Sequence, residues 1–203
     1  MDADLSLSLS LSLSLCLFPP LKDIYNTKGG FMGDLRAWLL AKLMWNPMEA
    51  DAEALTWEFL QAFYGPTAAI HVSEYMKIFE RSAAAKGDYV TFSSPVNSKY
   101  LSPEAVLAGA QAAFAAAHVP GTTEEQKLRA RALQLGPLYV WLCRHKEMRR
   151  AFPSDSWPWS DDVGTAFDDF ASSWNATGAH CLDENCHGIS WLHDQVFNGK
   201  GCM

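Results

Sequence analysis

Apolar residues recur with helical spacing along most of the chain, from residue 31 to the C-terminal region. The first such segment, residues 31–45, is apolar around most of its circumference. It should end before Pro47, because a proline disfavours helix at the residue that precedes it. A helix that is apolar on most sides is typical of a buried element. We therefore expect Trp38 and Trp45 to be buried and to anchor the core.

The sequence also marks where further helices begin and where they break. Asp51 is a suitable N-cap for a second helix, and Pro66 suits the first turn of a third. Gly136-Pro137 lies in the middle of a long apolar segment and should kink that helix or divide it in two. Other start signals are Ser102-Pro103, a capping box of Thr122 and Glu125, and the run Ser160-Asp161-Asp162.

Together these segments predict an all-α protein, an irregular bundle of about six or seven helices. We expect a single helical domain over residues 29–200, preceded by a low-complexity leader and linker over residues 1–28. The helical pattern is interrupted between Gly87 and Tyr100, where residues 88–95 are β-prone and end in a proline, which predicts an extended loop or one brief strand.

The leader alternates leucine with serine over residues 5–17. Such a simple repeat is typical of a disordered or extended segment, although its period of two also permits an exposed amphipathic strand. It is a poor secretory signal, because Asp2 and Asp4 stand where basic residues are needed and serine interrupts the apolar region. No run of about 18 apolar residues occurs, so we expect a soluble chain with no membrane span. The sequence does not predict the cellular compartment of the protein.

Composition and motifs narrow the classes of function. A formal net charge of −7 argues against a nucleic-acid partner, because such proteins neutralise phosphates with clustered Lys and Arg. No glycine-rich phosphate loop, nucleophile elbow or zinc-protease helix is present, so no cofactor and no catalytic residue is predicted. Neighbouring carboxylates such as Asp161 and Asp162 diverge on a helix, which favours capping and solvation over glycoside cleavage.

The chain has five cysteines. In a chain of this length, five cysteines do not indicate a disulfide framework of the small secreted type. A tetrahedral metal site is one interpretation of the cluster His180, Cys181, Cys186 and His187. The members of each pair are adjacent, a poor spacing for zinc, so a local Cys181–Cys186 disulfide or free thiols are favoured. Asn175-Ala176-Thr177 fits the N-glycosylation sequon, which has meaning only in a secreted chain.

Trp157 and Trp159 flank Pro158 in a proline-held loop and are the best candidates for exposed aromatic rings. They are therefore the predicted carbohydrate-binding residues, through stacking of sugar faces on the indoles. The alternative is that both rings cover the helical core.

Residues 36–47, Arg-Ala-Trp-Leu-Leu-Ala-Lys-Leu-Met-Trp-Asn-Pro, carry a family resemblance that continues through residues 54–66. They closely resemble a recurrent segment of a large, mainly bacterial family of domains of unknown function. Its members look like glycoside hydrolases distantly similar to α-glucuronidases. In those proteins the segment opens the helical region that follows a (β/α)-barrel. The resemblance implies the same helical region here, and residues 129–142 look like one of its later helices.

This chain departs from the family because the Leu-Ser leader stands where the last barrel strand would be. No catalytic residue is carried over, since the barrel face that would hold one is absent. The resemblance therefore implies a non-catalytic helical accessory module, a truncated or vestigial form that packs on a catalytic barrel or on a second copy of itself. Its partners would be a barrel domain, a carbohydrate or another copy. The alternative is part of an active glycoside hydrolase whose barrel is supplied elsewhere.

Overall fold

The computed structural model describes residues 32–46, 50–88, 96–179, 182, 187–199 and 202, and every regular element among them is helical. This confirms the prediction of an all-α fold, whereas the leader lies outside the described residues. The described residues form eight α-helices, more than the predicted six or seven, partly because a short helix follows directly after the longest apolar segment. They are α1 Gly33–Trp45, α2 Ala52–Tyr64, α3 Pro66–Lys86, α4 Pro103–His118, α5 Glu124–Cys143, α6 His145–Ala151, α7 Val163–Thr177 and α8 Ile189–Phe197.

Side-chain caps set the starts of several helices, as the sequence predicts. The Asp51 carboxylate accepts hydrogen bonds from the backbone N–H groups of Glu53 and Ala54, at 2.9 and 3.1 Å. Such a cap satisfies donors that have no partner within the helix. Ser102 and Asp162 cap α4 and α7 in the same way.

The capping box of α5 lies one residue later than the sequence suggested. Thr123 and Gln126 exchange the two reciprocal bonds, at 3.0 and 3.2 Å. Thr122 is unsuited to this role because its hydroxyl donates to the Val119 carbonyl at 3.0 Å and so belongs to the preceding turn. Two threonines in a row made the register ambiguous in the sequence.

Helix α4 lies between α3 and α5 and packs against both. Its buried positions are small residues, so the neighbouring helices approach closely. The closest approach is at Gly109, where an added Cβ would lie 2.6 Å from the ring of Phe79 on α3. Alanine and glycine on α4 thus set the spacing of the three central helices.

Helix α5 continues through Pro137 and is not divided there. Proline has no backbone N–H, so the carbonyl of Leu133, four residues earlier, loses its normal helical donor. The Tyr75 hydroxyl on α3 donates to that carbonyl at 3.2 Å, in the interior of the protein. A side chain of α3 therefore takes the place of the missing N–H and ties α3 to α5.

Two clusters of buried side chains form the core, and they meet along α4 and α5. The first joins α1, α2 and α3 to the N-terminal half of α5. The second surrounds Trp141, which is fully buried on α5, and includes Phe170 of α7 and Leu192 of α8. Because both clusters share α4 and α5, those two helices connect the two halves of the described fold.

A disulfide joins Cys143, at the end of α5, to Cys202 near the C-terminus. No local pattern pairs these two cysteines, because they are 59 residues apart. The locally favoured partners Cys181 and Cys186 lie outside the described residues. The bond closes a chain segment that contains α6, α7 and α8, so it restrains the second cluster in particular.

The Tyr75–Leu133 bond can be tested by a double-mutant cycle with Pro137. Tyr75→Phe should lower the free energy of unfolding by about 1–3 kcal/mol, because a buried carbonyl loses its donor. In a Pro137→Ala background the new Ala N–H can bond to Leu133, so the same change should cost less. Urea denaturation of the four proteins measures the coupling.

Tyr64→Phe is the matched control for that cycle. Its hydroxyl is also buried but contacts the Met32 sulfur at 3.9 Å, far from Pro137 in sequence. The cost of this change should be the same with Pro137 or Ala at that position. Equal costs of Tyr75→Phe in the two backgrounds would show that the hydroxyl does not replace the missing donor.

Opening the Cys143–Cys202 loop should destabilise the fold. For a separation of 59 residues the chain-entropy model gives about 4 kcal/mol. Cys143→Ser with Cys202→Ser should therefore lower the denaturation midpoint strongly under oxidising conditions. Addition of a reductant should lower the midpoint of the natural protein and leave that of the double variant unchanged. A natural protein insensitive to reductant would argue against this pairing.

Candidate docking surface

Helix α1 packs on the rest of the protein through one side. Leu35 and Leu39 are 0% and 2% exposed, and Met32 just before the helix is buried beside them. Trp38 is partly buried and lies 5.6 Å from the Phe59 ring of α2, measured between centroids. Arg36 is also buried, at 7% exposed, which its charge did not predict.

The C-terminal half of α1 carries large apolar side chains that are open to solvent. Leu40, Met44 and Trp45 are 40%, 74% and 92% exposed. At about 100° per residue, Met44 points about 180° away from Leu35, so both cannot face the same core. The prediction that α1 is buried on more than one side is therefore wrong. Of the two tryptophans expected to be buried together, Trp38 is partly buried and Trp45 is exposed.

Helix α2 carries one large exposed apolar side chain of its own, Trp57, which is 39% exposed. We call Leu40, Met44, Trp45 and Trp57 the α1–α2 apolar surface. Among the described residues, large exposed apolar side chains elsewhere occur singly on their helices, as Ile70, Phe114 and Phe197. Isolated exposed apolar residues are ordinary on protein surfaces, whereas a group of them marks a contact site.

Contacts from α5 hold the far end of α2 in place. Arg129 donates to the Phe63 carbonyl at 2.9 Å, and its guanidinium lies 4.2 Å from the centre of the Phe63 ring. Gly65 ends α2 with φ +89°, and the Gln126 side chain lies close against it. Side chains other than glycine are strained at such an angle, so this tight junction depends on glycine.

The exposed charges of α1 and α2 are mostly acidic. The exposed carboxylates are Asp34 on α1 and Glu53 and Glu58 on α2, while Lys42 places its ammonium 5.1 Å from the centre of the Trp38 ring. Nearby, burial raises the pKa of Tyr64 well above its ordinary value, so its hydroxyl stays neutral.

The predicted sugar-stacking rings pack against protein. Trp157 is 5% exposed, stacks on Trp159 with centroids 5.8 Å apart, and meets Trp141 edge-on at 6.3 Å. Trp159 is partly buried and contacts Trp141 as well. These contacts favour the alternative in which the two rings cover the core, because little ring face of Trp157 remains accessible. A carbohydrate-binding role for them stays a prediction.

The structure describes one of the four residues that were predicted as alternative metal ligands. His180, Cys181 and Cys186 lie outside the described residues, and His187 stacks on Trp191 at 4.5 Å. The described part of the chain contains no group of three or more His, Cys, Asp or Glu side chains able to hold a metal ion. The possible four-residue site therefore stays a prediction.

The neighbouring carboxylates that the structure describes have structural roles, as the sequence favoured. Asp162 caps α7, and hydrogen bonds from Thr165 hold the pKa of its carboxyl below the usual range. Asp161 lies 3.6 Å from the Arg149 guanidinium. Asp168 and Asp169 are exposed on α7, whereas Asp183 and Glu184 lie outside the described residues.

The sequence model of one family, described as a domain of unknown function (DUF4838), matches residues 20–77. The chain is similar to that family over this stretch. In the described residues the match covers α1, α2 and the first part of α3, and so includes the whole α1–α2 apolar surface. Neither the curated proteins nor the solved structures contain a match to the chain. No helix in the described part is long and apolar enough to cross a membrane.

The contrast between Trp45 and Trp141 gives a test of the α1 orientation. Trp45→Ala should change the free energy of unfolding by no more than about 0.5 kcal/mol, because the ring contacts solvent. Trp141→Ala removes a fully buried ring and should cost about 3–5 kcal/mol. Chemical denaturation of both variants measures the difference. A large loss of stability in Trp45→Ala would show that this ring is buried in solution.

Proposed function

We propose that the chain is a non-catalytic helical accessory module that packs, through the α1–α2 apolar surface, on a catalytic (β/α)-barrel domain. The observation that supports this proposal most directly is the exposure of Leu40, Met44 and Trp45 on one helix. The N-terminal half of the same helix is already buried in the core through Leu35 and Leu39, and the exposed C-terminal half is the part that we assign to a separate contact.

The position of this surface in the sequence agrees with the proposal. The match to the family of unknown function covers both helices that carry it. In the glycoside-hydrolase-like proteins that the segment resembles, the Trp-Asn-Pro run opens the helical region next to the barrel. A helix at that position is the first part of the helical region to contact the barrel. In this chain that helix is α1, which exposes apolar side chains.

The size of the exposed surface is sufficient for a useful contribution to binding. A tryptophan ring buries about 150–250 Å² in a contact, worth on the order of 5 kcal/mol before the costs of association. Tryptophan is also among the residues that most often dominate the binding energy of protein interfaces. Trp45 is therefore the proposed anchor, with Leu40 and Met44 beside it.

Catalysis by this chain alone has little support among the described residues. The carboxylate whose pKa is raised is Glu80, mainly through burial, and it lies on α3 between the basic residues Lys77 and Arg81. Cleavage of a glycosidic bond needs two carboxyl groups facing each other across the substrate. An active hydrolase would therefore need a barrel from another chain or from a longer form of the protein.

The proposal predicts a direct interaction with a barrel domain taken from a protein that carries both regions. Trp45→Asp should weaken that binding at least tenfold, because a charge replaces the anchor ring in an apolar contact. Ile70→Asp is the matched control, since Ile70 is 59% exposed on α3 and outside the surface. Isothermal titration calorimetry measures both dissociation constants, and circular dichroism verifies that each variant is folded.

Three results would contradict the proposal. Equal effects of the two substitutions would place the barrel contact elsewhere. Turnover of a sugar substrate by the purified 203-residue chain alone would contradict the non-catalytic role. The third is self-association: the natural chain would have the mass of a dimer in solution and Trp45→Asp that of a monomer. This would favour a second copy over a barrel as the partner.

A further inference from the structure

We propose that Asn175 is an N-glycosylation site and that the chain matures in an oxidising compartment where it receives the glycan. Asn175-Ala176-Thr177 is the sole Asn-x-Ser/Thr triplet in the sequence. Such a triplet alone is weak support, because it often arises by chance. Two features of the structure strengthen it independently.

The first feature is the position of the acceptor. Asn175 is exposed in the last turn of α7, and so are Ser172 and Ala176. The same helix buries Phe170 and Trp174 against the second core cluster. The asparagine side chain therefore points away from the core, where a bulky hydrophilic glycan would displace no packed side chain.

The chain also turns away from the helix directly after the sequon. Gly178 has φ 70°, the left-handed conformation that ends many helices, and its N–H bonds to the Asn175 carbonyl. Ala179 then bonds back to Trp174. The helix ends at Thr177, two residues after the acceptor, so no complete turn of α7 follows Asn175.

The second feature is the Cys143–Cys202 disulfide. Disulfides of this structural kind form and persist in oxidising environments and are rare in the reducing cytosol. N-glycosylation takes place in secretory compartments that also oxidise thiols. The disulfide and the exposed sequon therefore point to the same compartment, although they involve different residues and different chemistry.

The reaction at Asn175 is a glycosyl transfer from a polyprenyl-diphosphate-linked oligosaccharide. The amide Nδ2 forms a bond to the anomeric carbon, the bond from that carbon to the diphosphate oxygen breaks, and the diphosphate leaves with the electron pair. Nδ2 gives up one proton to a base, so charge and atoms balance. In the folded chain the Thr177 hydroxyl donates to the Trp174 carbonyl at 3.1 Å, so we expect transfer before α7 has folded.

A glycan at Asn175 is compatible with the docking surface. Helix α7 belongs to the second core cluster, whereas α1 and α2 contribute to the first. The glycan would therefore cover part of the second half of the fold and leave Trp45 accessible. This inference does not depend on the proposed barrel contact, because neither the disulfide nor the sequon lies on α1 or α2.

The test uses the full chain directed into the secretory pathway of cultured eukaryotic cells by an added cleavable signal. The purified protein is digested with a peptide N-glycosidase in isotope-labelled water, which converts a glycosylated asparagine to labelled aspartate. Mass spectrometry should find that label at Asn175, together with the Cys143–Cys202 peptide pair in the unreduced sample.

Four variants separate glycosylation from effects on folding. Asn175→Gln and Thr177→Ala should lose the glycan, whereas Thr177→Ser should keep it because the hydroxyl is retained. Asn198→Gln is the control, since Asn198 is exposed but lies outside any sequon, and it should keep the glycan. Recovery of the natural chain with Asn175 unmodified would overturn the proposal, whatever the state of its cysteines.

Discussion

The hydrogen bond from Tyr75 to Leu133 settles a conflict that the sequence itself creates. Pro137 belongs to an apolar segment that must be one helix to span both core clusters, yet proline removes a backbone donor from that helix. A buried carbonyl without a donor costs about 1–3 kcal/mol, a large fraction of the stability of a domain. The α3 hydroxyl compensates, and α5 can extend from the first cluster into the second.

The spacing of the central helices follows from that bond. Tyr75 reaches α5 only if α4, which lies between them, is thin. Helix α4 meets this requirement with buried alanines and with Gly109, which admits the Phe79 ring where a Cβ would clash. The small residues of one helix and the tyrosine of its neighbour therefore act together. Helix α2 is held to this group through Arg129 of α5, and α1 packs on α2.

Local signals predicted local structure well. Asp51, Ser102 and Asp162 each define a helix start because a side-chain oxygen and a nearby N–H are close in sequence. Features that depend on distant residues escaped prediction. Cys143 and Cys202 become neighbours only after three helices have folded, and Leu133 finds Tyr75 58 residues away. The apolar pattern of α1 shows that the helix needs a covering surface. It does not show whether that surface belongs to the core of this chain or to another molecule.

Because of that ambiguity, the candidate docking surface could not be predicted from the sequence. A helix apolar on all sides must be covered on all sides, and in this fold α1 is covered on one. If Met44 and Trp45 served only stability, they would add little, because exposed side chains contribute almost nothing to folding. Retaining large apolar rings in water also increases the risk of aggregation. Their exposure on the C-terminal half of α1 therefore favours a partner, and this exposure is the basis of the contact that we propose.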